Sequence, residues 1–194
     1  FRSKLPKSAF SQFEVADEVL GINLDDLKRI LKRCGAGSSL ILEKQENFLN
    51  IQIQDKIKRN FSLNLIEVEA EEKDMPELEY TARVEINSSD LTDSVEDCLV
   101  VADACSFIIQ EGKFIIEAKG INSAMSEFSG DEAKIEAENC KVRYSLEYLQ
   151  KFMKGTKLVE KTILNFAEDH PMRLDIKSEH MELNFLLAPR VEND

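Results

Sequence analysis

From Leu24 to Cys34 the apolar residues Leu27, Ile30, Leu31 and Cys34 recur at i, i+3, i+4 and i+7, the spacing of one helical face. Lys28, Arg29, Lys32 and Arg33 take the other face. The stretch is an amphipathic helix, apolar beneath and basic outside. Asn23 is its expected N-cap, and Asp25 and Asp26 occupy the first turn, where the helix dipole favours anions. Lys32 and Arg33 suit the last turn, and Gly35 and Gly37 close it. Before the helix, Phe1 to Val15 reads as the tail of a strand and a loop. After it, Ser39–Glu43, Phe48–Gln54 and Phe61–Val68 read as strands, the last two alternating in part.

The run Glu67 to Glu79 breaks the pattern, because its acidic residues and Pro76 describe an extended, solvent-facing linker. The expected domains are therefore 1–68 and 80–194, joined by a linker at 69–79. The second opens with a strand at Thr81–Ile86. A helix follows at Ser88–Ala102, with Leu91, Val95, Cys98, Leu99 and Ala102 on one face. Ala104–Gln110 and Lys113–Ala118 form a hairpin around Glu111 and Gly112. Strands are expected at Ala124–Phe128, Ala133–Ala137 and Lys141–Tyr144. A helix then runs Ser145–Gly155, capped by Ser145 with Glu147 in its first turn. Strands Thr162–Phe166, Met172–Ser178 and His180–Leu187 complete the domain.

Overlaying the helices exposes an internal repeat. Leu24, Leu27, Arg29, Ile30, Leu31 and Lys32 match Leu146, Leu149, Lys151, Phe152, Met153 and Lys154 about 122 residues later, and strands follow each helix. The chain reads as two similar α+β domains of antiparallel sheet with helices segregated to one face.

Composition qualifies this picture without overturning it. The chain is 43% hydrophobic and 32% charged over 194 residues, as in an ordinary soluble globular protein. No apolar run reaches membrane-span length, and nothing at the start reads as a signal peptide. The net charge of -12 argues on average against a nucleic-acid partner. Fields of exposed charges are screened beyond roughly 8 Å at physiological salt, so a local basic stripe can still meet phosphates. The four cysteines, Cys34, Cys98, Cys105 and Cys140, form no C-x-x-C pair and point to buried free thiols in a reducing compartment.

Catalytic chemistry finds little footing. His170 precedes a proline and His180 sits in an expected hairpin turn. Glu168 and Asp169 are neighbours in a turn rather than an acid–base pair. Glu69, Glu71, Glu72 and Asp74 fit a flexible acidic linker better than a metal site. There is no P-loop, G-x-G-x-x-G or G-x-S-x-G. The expectation is a non-enzyme with no cofactor, no metal and no catalytic residues.

Two features remain with work to do. One is the pair of basic helix faces, the second carrying Lys151, Lys154 and Lys157. With no interleaved aromatics and no base-reading pattern, contact would be with phosphates, sequence-independent and sensitive to salt. The other is the C-terminal run Leu183 to Val191, still apolar where it breaks at Ala188 and Pro189. It reads either as an edge strand with a frayed tail or as a groove along which a partner peptide could add.

Leu186-Leu187-Ala188-Pro189-Arg190-Val191, the linker end Met75-Pro76-Glu77-Leu78-Glu79-Tyr80, and Leu27-Lys28-Arg29-Ile30-Leu31-Lys32-Arg33 together resemble the DNA sliding clamps of the proliferating cell nuclear antigen family, its archaeal branch most of all. The resemblance spans the whole chain. It departs at the front, where family members carry roughly fifty more residues that complete the first domain. It implies the DNA-clamp fold in a ring of three subunits, with helices lining a hole around double-stranded DNA. Lys28, Arg29, Lys32, Arg33, Lys151, Lys154 and Lys157 would then face the phosphates. Strand Phe61–Val68 would pair with the Ala124–Phe128 edge of the next subunit. Met75, Pro76, Tyr80, Pro171, Phe185, Leu186, Leu187, Ala188 and Pro189 would form the pocket for short hydrophobic motifs of DNA polymerase, clamp loader, flap endonuclease and DNA ligase. The location implied is cytoplasmic in an archaeon and nuclear in a eukaryote.

One departure concerns charge: Asp93, Glu96 and Asp97 stand on the helix Ser88–Ala102 where many clamps place cations. Three alternatives stand beside the clamp reading: a peptide-binding adaptor with no DNA role, a specialised subunit of a heterotrimeric ring, and, remotely, a carboxylate-metal enzyme.

Overall fold

A computed structural model describes residues 1–69, 75–168 and 170–191. The centre of the expected linker, with Glu71, Glu72 and Asp74, lies outside the described residues, as do Asp169 and the acidic end at 192–194. The chain divides into a small unit, Glu14–Asp74, and a large unit, Phe1–Phe13 with Met75–Asp194.

The elements run β1 (Arg2–Lys4), α1 (Leu24–Leu31), β2 (Ser39–Gln45), β3 (Phe48–Gln54), β4 (Lys58–Asn64), β5 (Ala82–Asn87) and α2 (Ser88–Leu99). They continue with β6 (Ala104–Gln110), β7 (Lys113–Lys119), β8 (Ser123–Phe128), β9 (Ala133–Ala137), β10 (Cys140–Ser145), α3 (Leu146–Thr156), β11 (Lys161–Phe166), β12 (Met172–Ser178) and β13 (Met181–Leu187). Among the described residues, no helix is long and apolar enough to cross a membrane.

The small unit is α1 against an antiparallel meander in the order β2-β3-β4. Alternation along β3 buries Leu49, Ile51 and Ile53, and Leu63 of β4 joins them. Leu27, Ile30 and Cys34 of the helix pack over this cluster. Leu31, expected on the same face, is 38% exposed, because α1 ends there and the backbone tightens into a turn with Cys34 N–H bonded to Leu31 C=O. The third strand sits three residues earlier than its expected start at Phe61. Past Asn64 the chain leaves β3, and Ile66 N–H donates instead to Gly21 C=O at 3.0 Å. Gly21 has to be glycine, since a Cβ there would stand 2.3 Å from Ile66 O and 2.6 Å from Val68 Cγ1. β2 is exposed along its whole length, Leu40, Ile41 and Leu42 included.

The large unit holds two antiparallel sheets, ordered β1-β13-β12-β11-β5-β9 and β10-β6-β7-β8. Strand alternation sends Val84, Ile86, Leu164, Leu174 and Ile176 of the first sheet, and Phe107, Ile109, Phe114 and Ile116 of the second, into one core. Phe107 meets Phe114, Tyr144 and Phe166 edge-on at 5.3–6.0 Å, arrangements that suit the ring quadrupoles. α2 and α3 pack on each other as well as on the sheets. Between them the hydroxyls of Thr92 and Thr156 pair at 3.1 Å, so neither buried hydroxyl is left without a partner.

The repeat is realised as topology, each of α1 and α3 leading into a three-stranded antiparallel meander, β2-β3-β4 and β11-β12-β13.

Candidate functional site

The basic face of α1 is fixed by its cap. Asn23 Oδ1 accepts from the backbone N–H groups of Asp25 at 3.0 Å and Asp26 at 3.1 Å, holding the first turn. With Leu27 and Ile30 drawn to the sheet, Lys28, Arg29, Lys32 and Arg33 all emerge into solvent. Arg29 is tied to Asp26 at 3.1 Å, one helical turn back. Among the described residues Lys28, Lys32 and Arg33 have no ion-pair partner. They are available to an external anion.

The large unit answers with α3. Leu146, Leu149 and Met153 are buried, which leaves Lys151, Lys154 and Lys157 outside. Lys151 Nζ lies 2.8 Å from Glu147 Oε1 and 5.1 Å from the centre of the Tyr148 ring. The hydrogen bond and the opposite charge raise the Lys151 ammonium and lower the Glu147 carboxyl from their ordinary values. Beside α3, α2 exposes Asp93, Glu96 and Asp97 and carries no cation. Asp93, Glu96, Glu160 and Lys157 open onto one cavity of about 590 Å³.

Of the expected peptide pocket, the structure brings together some residues and separates others. Strand alternation divides the run Phe185–Pro189. Phe185 turns toward α3 and stacks on Phe152 at 4.5 Å, and Leu187 is a core residue. These two are therefore interior supports and not lining of an outer pocket. Leu186 lies directly across from Arg173 and so points to the opposite face. On that face Arg173 sits 5.7 Å from the centre of the Tyr80 ring, and its Nε donates to Asp175 at 2.9 Å. Tyr80 is half-buried, its hydroxyl enclosed without a hydrogen-bond partner among the described residues. Met75 and Pro171 are half-buried and Pro76 is exposed. Ala188 is exposed and Pro189 half-buried where the chain turns toward β10. There Arg190 N–H donates to Arg143 C=O at 2.7 Å, and the Arg190 guanidinium pairs with Asp103 at 3.0 Å, depressing that carboxyl. Pro189 and Arg190 border a second cavity of about 360 Å³ with Ser106, Lys141, Arg143 and Glu168.

Residues 74–191 match the family described as proliferating cell nuclear antigen, C-terminal domain. The DNA polymerase sliding clamp of Pyrococcus furiosus is 39% identical, over 97% of this chain and 79% of that protein. The chain belongs to the proliferating cell nuclear antigen family. The sliding clamp of Thermococcus onnurineus is 40% identical over the same shares of the two chains. The crystal structure of proliferating cellular nuclear antigen from Entamoeba histolytica superposes with a TM-score of 0.87 at 25% identity, covering 97% of this chain and 79% of that one. These likenesses carry the DNA-clamp α+β fold.

In this clamp chain, sequence reasoning gave no role to Arg173, which lies beside Tyr80, or to Arg143 and Arg190, which border the second cavity. The alternation of Arg173 with Met172 and Leu174 was a readable signal that it faces outward from β12. Nothing local marked the tail's return to Arg143, because that contact depends on where β10 lies.

Proposed function

We propose that the chain acts as a subunit of a ring-shaped sliding clamp, a processivity factor that encircles double-stranded DNA and tethers replication and repair proteins. The observation that carries this is the basic face of α1, with Lys28, Lys32 and Arg33 exposed and without an ion-pair partner among the described residues, in a chain whose net charge is -12. Such a face touches phosphates without reading bases, which suits sliding. Negative charge elsewhere discourages DNA from binding outside the ring. Its archaeal relatives suit a cytoplasmic setting.

The strand edges suit assembly. β4 and β8 each end a sheet, leaving one side of each without a strand partner among the described residues. β13, the repeat mate of β4, already pairs antiparallel with β1 within the chain. We assign the corresponding role to β4, pairing with β8 of the next subunit to close a trimer. The outer face around Tyr80, Pro171, Leu186, Ala188 and Pro189, with Met75 and Pro76, would take the short hydrophobic motifs of DNA polymerase, clamp loader, flap endonuclease and DNA ligase. Phe185 and Leu187 would support it from within.

The test is charge reversal of Lys28, Arg29, Lys32 and Arg33 to Glu. Stimulation of a replicative polymerase on primed circular DNA should fall at least about tenfold, while capture of a hydrophobic-motif peptide stays unchanged. A peptide-binding adaptor would lose neither. A protein that stays monomeric in sizing and never stimulates a polymerase would refute the clamp reading.

A further inference from the structure

α2 and α3 form one surface. They pack on each other, and Asp93 and Glu96 of α2 share a cavity with Lys157 and Glu160 at the end of α3. The exposed charges of that surface are Asp93, Glu96, Asp97, Glu147 and Glu160 against Lys151, Lys154 and Lys157. Packed helices lie about 8–10 Å apart. That is within about a screening length at physiological salt, so the two sets of charge are felt together. Lys151 is already held by Glu147 at 2.8 Å, and Lys157 opens onto three carboxylates. The balance is negative. On α1 the exposed charge is predominantly basic, and Lys28, Lys32 and Arg33 have no ion-pair partner among the described residues.

We propose that the exposed face of α2 repels DNA phosphates, and that Asp93, Glu96 and Asp97 set how weakly the clamp holds the duplex. The inference rests on the clamp reading and deepens it. Contact with the duplex falls on α1 and on Lys154, and the large unit contributes repulsion that keeps the hold loose. All three carboxylates stand clear of the core, so replacing them leaves the packing of α2 intact.

The decisive variant is neutral, because added lysines would bring new contacts of their own. Asp93→Asn, Glu96→Gln and Asp97→Asn remove the repulsion and add no cation. A control with the same change in net charge replaces Glu111→Gln, Asp131→Asn and Glu138→Gln, all exposed and outside the helices. Binding of a fluorescent duplex to the full assembly is titrated from low to physiological salt. The α2 amide variant should bind several-fold more tightly at low salt, with its advantage shrinking as salt rises, while the control stays near the unaltered protein. Equal gains in both variants would reduce the effect to overall charge and overturn the proposal. Unchanged affinity in the α2 variant, with unchanged helical content by circular dichroism, would overturn it as well. If the unaltered protein neither binds duplex nor stimulates a polymerase, the clamp reading fails and the inference falls with it.

Discussion

α1 and α3 carry the same spacing of leucines and cations, and each leads into an antiparallel meander, yet they sit in very different surroundings. Behind α3, the β11-β12-β13 meander is widened by β5 and β9 on one side and β1 on the other, and α2 packs alongside. Leu149 and Leu164 are fully buried there. Behind α1 the described residues offer three strands only. The buried hydrophobic side chains are Leu49, Ile51, Ile53 and Leu63, and β2 is exposed on both faces. One pattern thus yields two depths of burial, because a helix buries only as much as its neighbours let it cover. Charge divides the other way: the lightly packed α1 keeps cations with no ion-pair partner among the described residues, while those of the well-packed α3 share their surface with the carboxylates of α2.

The largest test of this difference uses one leucine from each helix. Leu149→Ala empties a fully buried site and should destabilise the large unit by about 3–4 kcal/mol. Leu27→Ala, at the half-buried match on α1, should cost about 1–2 kcal/mol. The chain supplies its own probe, since Tyr80, Tyr144 and Tyr148 all lie in the large unit and there is no tryptophan. In denaturant, Leu149→Ala should shift the tyrosine emission transition. Leu27→Ala should move only the circular dichroism signal that tyrosine does not report. Equal shifts of both signals in both variants would break the comparison.

Much of this architecture was legible because it is local. Alternation placed Phe48–Gln54, Ala104–Gln110, Ala133–Ala137 and Met172–Ser178 at their observed bounds. Helical spacing found the three α-helices of the described residues, and the cations of α1 are as exposed as their spacing implied. What escaped was what another segment decides. Leu31 fits the apolar stripe but falls at the helix end, where the backbone tightens into a turn. The family resemblance implied Phe185 as pocket lining, whereas period-two geometry against Phe152 turns it inward. The end of β4 was misplaced because Gly21, far back in sequence, takes the hydrogen bond that β3 gives up.

A smaller test concerns the glycine of each unit that meets a strand closely. Gly21→Ala would drive a methyl against the Ile66 carbonyl and the Val68 side chain, so the chain after β4 has to move. A cost of about 2 kcal/mol to the small unit is expected, with faster exchange of the Ile66 amide. Gly155→Ala, in the last turn of α3, faces only Ile176 Cδ1 at 3.0 Å and the Phe185 ring at 3.4 Å, the ends of side chains that can shift by a few tenths of an ångström. The helix gains about 1 kcal/mol in propensity from alanine, which offsets that crowding, so stability should change by less than about 1 kcal/mol. Comparable losses at both positions would show that Ile176 and Phe185 cannot yield to a methyl at Gly155, and would break the expected difference.

The smallest difference lies at the helix caps. Asn23 and Ser145 occupy the same place before matching helices, and both have extended backbone. Asn23 accepts two backbone N–H donors, whereas the Ser145 side chain makes no capping bond. Helix α1 has little tertiary packing to fall back on, so its first turn relies on that cap. α3 is held by Leu146 and Leu149 in the core whether or not its cap is made. Asn23→Ala should therefore cost the small unit about 1 kcal/mol, and Ser145→Ala should cost the large unit less than about 0.5 kcal/mol. Amide exchange of Asp25 and Asp26 reads the first change directly, because both donors lose their acceptor. If Ser145→Ala proved the more costly, packing and capping would not trade places between the two helices as their surroundings imply.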